Sequence, residues 1–209
     1  MKRILTALAF AAAFVVPALA QTLPFPQPGI TYGYWQKATY SAPFFGLVPV
    51  ASATDLVCIA GSATKTVKLA SIKLSGTAGT LITTPLVVLR RASVDTGGTA
   101  GSTTANPANT ISLRDTTQSA ATATLIAYTA NPTIVDTTPT YVDSQSITLP
   151  VSGTTAASVV PTYFDYSKDI ENIVAPPTLR GIAQQICVNV GGASNSSGVI
   201  NGGITWTEE

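Results

Sequence analysis

The sequence predicts an all-β protein: an antiparallel β-sandwich, jelly-roll-like, of about seven to nine short strands with an extended N-terminal arm. Three observations carry this reading. Short β-prone runs recur along the chain, divided by turn residues such as Gly61, Gly79, Gly97-Gly98 and Asn131-Pro132. The amphipathic helical stretches that an α/β fold places between its strands are missing. Hydroxyls stand in for charge: 32 residues are Thr and 17 are Ser, while 10% are charged against about 25% in ordinary soluble domains. No internal repeat runs through the sequence, which argues against propellers and β-solenoids.

The first 20 of the 209 residues read as a secretory signal peptide. Lys2 and Arg3 precede an apolar run from Ile4 to Leu19, and Ala18 and Ala20 mark a cleavage boundary before Gln21. The alternative is a retained membrane anchor. The run falls short of the roughly 20 apolar residues that span hydrocarbon, and Pro17 interrupts its end. The expected destination is outside the cell, secreted or at the cell surface, with no membrane association after cleavage.

Residues 21–50 form the expected arm. Pro24, Pro26, Pro28, Pro43 and Pro49 alternate with Phe25, Tyr32, Tyr34, Trp35, Tyr40, Phe44 and Phe45. Proline fixes φ and removes a donor, so the segment should be extended in pieces. So many large rings have no use in a solvated tail. Either the arm folds back as an extra strand of its own domain, or it docks on a neighbouring subunit, with Trp35, Phe44 and Phe45 as anchors.

The sandwich is expected over residues 51–209. Asp55–Ala60 is a short strand ended by Gly61. Lys65–Leu74 alternates imperfectly, which calls for a β-bulge or a mixed face, and Gly76 and Gly79 are expected to break it. Leu81–Arg91 holds Leu86-Val87-Val88-Leu89 and should emerge at Arg90-Arg91 into a polar rim. Residues 93–120 read mainly as a surface loop, with a short strand at Thr110–Leu113. Thr122–Tyr128, Tyr141–Leu149, Val159–Tyr166, Ile182–Val190 and Gly203–Thr207 complete the strands. Asp169–Arg180 is the one place suited to a helical turn, and Gly191–Gly203 reads as a loop.

Several short patterns then suggest a relationship. They are Ala53-Thr54-Asp55-Leu56-Val57, Val88-Leu89-Arg90-Arg91 with Asp95-Thr96-Gly97-Gly98-Thr99, Leu125–Thr133, and Ile204-Thr205-Trp206-Thr207-Glu208-Glu209. Over roughly residues 53–209 the chain resembles phage- and prophage-type all-β structural proteins. The resemblance implies a non-enzymatic virion or surface component that assembles as an oligomer. The export signal departs from that pattern and suggests a relative placed on a surface layer or filament.

The chemistry available is narrow. With no histidine, imidazole-based triads and imidazole-held zinc are excluded, and a net charge of +1 offers no nucleic-acid footprint. No catalytic set emerges, and the chain is read as non-enzymatic. Cys58 and Cys187 are the two cysteines, either bridged or two inert buried thiols. Tyr163, Asp165, Tyr166 and Asp169 gather rings and carboxylates as a sugar or ligand site would, or as an ordinary rim loop does. No cofactor is expected. A structural calcium is the one ion considered, at Asp95 with its glycines or at Asp165 with Asp169.

The leading expectation is a self-assembling structural protein of an extracellular filament, surface layer or virion-like particle, whose partners are copies of itself. Threonine-rich faces with few charges pack at a low desolvation cost. The alternative is a secreted carbohydrate- or surface-binding module with exposed rings among Tyr163, Tyr166 and Trp206.

Overall fold

The computed structural model describes residues 37–48, 54–97, 99–100, 111–114, 117–153, 161–167, 175–191 and 198–209, all within the compact unit Gln36–Glu209. The segment expected to be a signal peptide, most of the expected arm and Asp169 lie outside the described residues.

Twelve strands are described, with no helix among the described residues. They are β1 (Ala38–Leu47), β2 (Thr54–Ala60), β3 (Thr66–Ala78), β4 (Ile82–Arg91), β5 (Thr99–Ala100), β6 (Ser112–Leu113), β7 (Thr124–Ala130), β8 (Thr140–Leu149), β9 (Thr162–Asp165), β10 (Thr178–Arg180), β11 (Gln185–Val190) and β12 (Gly198–Glu208). One sheet runs β10-β3-β12-β1-β6, with β9 also paired to β3; the other runs β5-β7-β2-β11-β4-β8. All of these strand pairs are antiparallel.

The connectivity is that of a jelly roll. The chain folds back on itself so that β1 meets β12, β2 meets β11, β3 meets β9 and β10, and β4 meets β8. These pairs are dealt alternately to the two sheets, which is how a jelly roll wraps. The remaining strands, β5, β6 and β7, come from the long β4–β8 connection. It adds β7 to the free edge of β2 and β6 to the free edge of β1, extending both sheets.

Between the sheets lies the core. Tyr40 and Trp206 sit opposite each other on β1 and β12 and stack with ring centroids 5.8 Å apart. Phe44, Phe164, Leu74, Leu86, Ile147 and Leu149 are fully buried beside them. Rings of this size bury roughly 150–250 Å² each and dominate such a core.

Several expectations need correction. Over Ala38–Leu47 the arm takes the first of its two alternatives, an extra strand of its own domain between β12 and β6 with Tyr40 and Phe44 buried in the chain's own core, so the sandwich starts before residue 51. Phe45 is 54% exposed, because the bulge at Phe45-Gly46 turns it outward while Phe44 and Leu47 face in. Gly46 supplies the positive φ of 71° that this bulge uses.

Glycines expected to break strands instead lie within them. At Gly202 an added Cβ would stand 2.2 Å from the Lys73 carbonyl oxygen and 2.6 Å from the Phe44 ring. At Gly76 it would stand 2.2 Å from the Val199 carbonyl oxygen. Close strand approach, not chain reversal, explains these glycines. The imperfect alternation of β3 does mark a bulge, with Ala70 as the extra residue opposite the Thr205-Trp206 step of β12. Of the region considered for a helical turn, Thr178–Arg180 is strand, paired to β3.

Candidate functional site

The outer face of the β5–β8 sheet carries a buried polar layer. Residues 92–97 after β4 and residues 131–136 after β7 cross this face and cover it. A pairing between Thr96 and Thr133 ties the two crossings together, with N–H···O distances of 3.0 and 2.6 Å. Under them lie Asp55 from β2, Arg91 from β4, Tyr128 from β7, Asn189 and Gln185 from β11, and Asp95 from the crossing itself.

Local backbone irregularity builds this face. In β2 the bulge at Leu56 shifts the strand's phase. Val57 and Ile59 still face the main core, while Asp55 joins Cys58 on the outer side, with Oδ2 3.9 Å from the Cys58 sulfur. Cys58 and Cys187 are directly opposite each other on β2 and β11 and form a disulfide, Cα to Cα 4.1 Å, spanning 129 residues. Tyr128 and Ile126 pack on the bridge.

Arg91 is the hub. It is 2% exposed, not part of a solvated rim as the sequence suggested, because Asp55 lies on the neighbouring outer face. Its Nε and Nη2 donate to the two Asp55 oxygens at 2.6 and 2.9 Å, and Nη1 donates to the Asp136 carbonyl at 2.6 Å. Asn189 Nδ2 donates to Asp55 Oδ1 at 2.5 Å. Burial opposes the guanidinium's charge, but the hydrogen bond and charge of Asp55, helped by Asp95 and Asp136, hold its pKa above the usual value. Asp136 is pulled below its usual value by N–H groups of Ala92 and Thr138.

Asp95 is less well served. One oxygen accepts a long 3.4 Å bond from the Val135 N–H and lies 4.0 Å from Arg91 Nε. The other, Oδ2, has no donor among the described residues, although Asp95 is 7% exposed. Burial, then the facing Asp55 carboxylate, push its pKa up to about 6 against the pull of Arg91 and Val135. The same burial and the same two carboxylates push Tyr128 up to about 12. The Tyr128 hydroxyl and both amide atoms of Gln185 are also buried without partners among the described residues.

Acidic and sulfur atoms of Asp55, Cys58, Asp95 and Cys187 lie within 4.8 Å of one another. In the oxidised chain they do not suit a metal. The sulfurs are bonded to each other, and Arg91 and Asn189 occupy Asp55. Asp95 likewise does not suit the calcium considered for its loop, because it faces a guanidinium.

A second anchor stands at the end of β12. Glu208 accepts from the Thr122 N–H, the Ala123 N–H, the Thr122 hydroxyl and the Trp206 indole at 2.6–3.1 Å. Burial raises the Glu208 pKa, yet these donors outweigh it and hold the carboxyl below its usual value.

Of the residues considered for a ligand site, Asp169 lies outside the described residues. Tyr163 is 47% exposed on β9, but Tyr166 is buried, its hydroxyl 3.5 Å from Asp143. Asp165 accepts from the Ser167 N–H and hydroxyl, as a local turn does. Trp206, considered as an exposed ring, is in the core. Of the arm residues, Phe25, Tyr32, Tyr34 and Trp35 lie outside the described residues.

The polar layer was missed in the sequence, although a signal was present. Asp55 and Arg91 interrupt apolar strand runs in a chain with few charges, and a charge in such a run needs a partner. Comparison with protein-family models, curated proteins and solved structures returned no match.

Proposed function

We propose that the protein is a non-catalytic, self-assembling structural subunit of an extracellular filament, surface layer or virion-like particle. The observation that carries this reading is the edge strand β8. It is ten residues long, pairs with β4 on one side, and exposes Thr140, Tyr141, Ser144, Gln145, Ser146 and Thr148. Its one charged residue is Asp143. Monomeric proteins commonly guard such an edge with lysine, proline or a covering loop. Here Gln145 and Thr162 link the later part of β8 to β9, while among the described residues Thr140–Ser144 is approached only by the Tyr166 hydroxyl at Asp143.

The bridge and the buried ion pair support the same reading. The ion pair keeps Asp55 and Arg91 inside the fold, and a disulfide persists in the oxidising surroundings that an export signal implies. The resemblance to phage-type structural proteins adds to it.

Light scattering and electron microscopy of the native protein test the proposal. Particles larger than one chain are expected, and Ser144→Lys should reduce them without unfolding the domain. A monomer at all concentrations and salt levels would overturn the reading. The alternative, a secreted carbohydrate-binding module, draws on the exposed rings of Tyr141 and Tyr163. A glycan array, with and without calcium, separates the two.

A further inference from the structure

We propose that segments 92–97 and 131–136 form an acid-closed latch over the disulfide, in which Asp95 carries a proton when closed and the strap loosens as that proton is lost. The geometry sets the imbalance. Two buried carboxyl groups, Asp55 and Asp95, face a single guanidinium, and Arg91 gives its bidentate face to Asp55. Among the described residues Asp95 Oδ2 points at no donor, and its carboxyl lies within 4.8 Å of that of Asp55. Two carboxyl groups in such contact are favourable when one carries a proton and repel when neither does.

Every element packed on Asp95 contributes to this count. Asp55 comes from β2, Arg91 from β4, Tyr128 from β7, the neutral amides of Asn189 and Gln185 from β11, and Asp136 from the returning strap. The cysteines are bridged and do not titrate. Tyr128 keeps its proton throughout, since burial and the carboxylates raise its pKa. Among the described residues one cation therefore faces the two inward carboxyl groups, while Asp136 is turned to the Ala92 and Thr138 N–H groups.

Among the described residues the strap itself is lightly held. Its two crossings meet through the Thr96–Thr133 pair and the long Val135–Asp95 bond. The Arg91–Asp136 and Ala92–Asp136 bonds fix its base rather than its middle. Deprotonation thus has a local outlet: Asp95 and Thr96 swing outward, and Tyr128 and the disulfide gain access to solvent.

The sign follows from linkage. A carboxyl whose pKa is near 6 when closed and near 3.8 when free favours closure most in acid. That preference falls as pH rises from about 4 to 6 and is then constant. Between pH 5 and pH 7.5 the opening equilibrium should grow about tenfold.

Amide hydrogen exchange on the oxidised full chain tests this, corrected for intrinsic rates. Thr96, Thr133 and Val135 should lose protection about tenfold over that pH range, while the amides of β12 stay level. Asp95→Asn, neutral at every pH, should abolish the difference. In the unmodified chain, a carbon-detected titration of Asp95 should show a midpoint near 6. A midpoint at or below 4, or a pH effect that persists in Asp95→Asn, would overturn the proposal. Neither outcome depends on whether the protein assembles.

Discussion

At Arg91 a single side chain holds together residues far apart in sequence. Its fork takes Asp55 and its third nitrogen takes the Asp136 carbonyl. Arg91→Ala would leave the Asp55 carboxylate buried without its cation, and breaking such a pair typically costs about 3–5 kcal/mol. Guanidinium denaturation of the oxidised protein should show that loss. Arg91→Lys should recover part of it, since an ammonium lacks the fork. A loss below about 1 kcal/mol would show that the ion pair contributes little. Glu208 adds a pH dependence of its own. Its pKa is lowered by folding, so its contribution is full above the unfolded value of 4.5 and is lost as pH falls through the folded value. Asp95 acts in the other sense, losing stability as pH rises toward 6. Melting temperature should therefore fall on the acid side in wild type, and Glu208→Gln should flatten that acid limb.

Among the elements, β2 and β11 gain most from their pairing. The bridge joins two central strands and closes a 129-residue separation. Chain entropy alone makes that worth on the order of 4–5 kcal/mol. Unfolding free energies from denaturant titrations with and without a dithiol reductant should differ by that amount, and Cys58→Ser with Cys187→Ser should match the reduced protein. Gly202→Ala is expected to destabilise as well, by roughly 1–3 kcal/mol or more, because its Cβ meets backbone and the Phe44 ring. At this scale the sequence was legible where side chains repeat. Leu86 and Val88, and the Lys65–Leu74 run with its bulge, were visible because period two reads directly as a sheet face. β12 was cut short because glycine in a strand looks like a turn until the crossing strands are known. The polar layer was hidden for a related reason. Asp55, Arg91 and Asn189 come from three strands, and nothing in their spacing shows that one bulge turns Asp55 onto the shared face.

For the whole molecule, the jelly roll makes the N-terminal segment two things at once. Ala38–Leu47 lies in the middle of a sheet, pairing with β12 over most of its length and with β6 on the other side. It places Tyr40 against Trp206 and Phe44 over Gly202. Removing residues 21–50 would delete that strand and expose β12, so the truncated chain should fail to fold. Removing residues 21–36 leaves β1 intact. The Lys37 and Lys68 ammonium groups still meet Glu209, and the sandwich should keep its melting temperature within a few degrees. This shorter deletion isolates the role of Phe25, Tyr32, Tyr34 and Trp35. If these rings dock on a neighbouring subunit, the deletion should yield a folded domain that no longer forms large particles in light scattering. If it assembles as before, the contact between subunits lies elsewhere, and the β8 edge with its Ser144→Lys variant becomes the test. If the shortened chain melts far lower than the parent, the rings serve their own domain, and the arm extends the fold rather than the assembly.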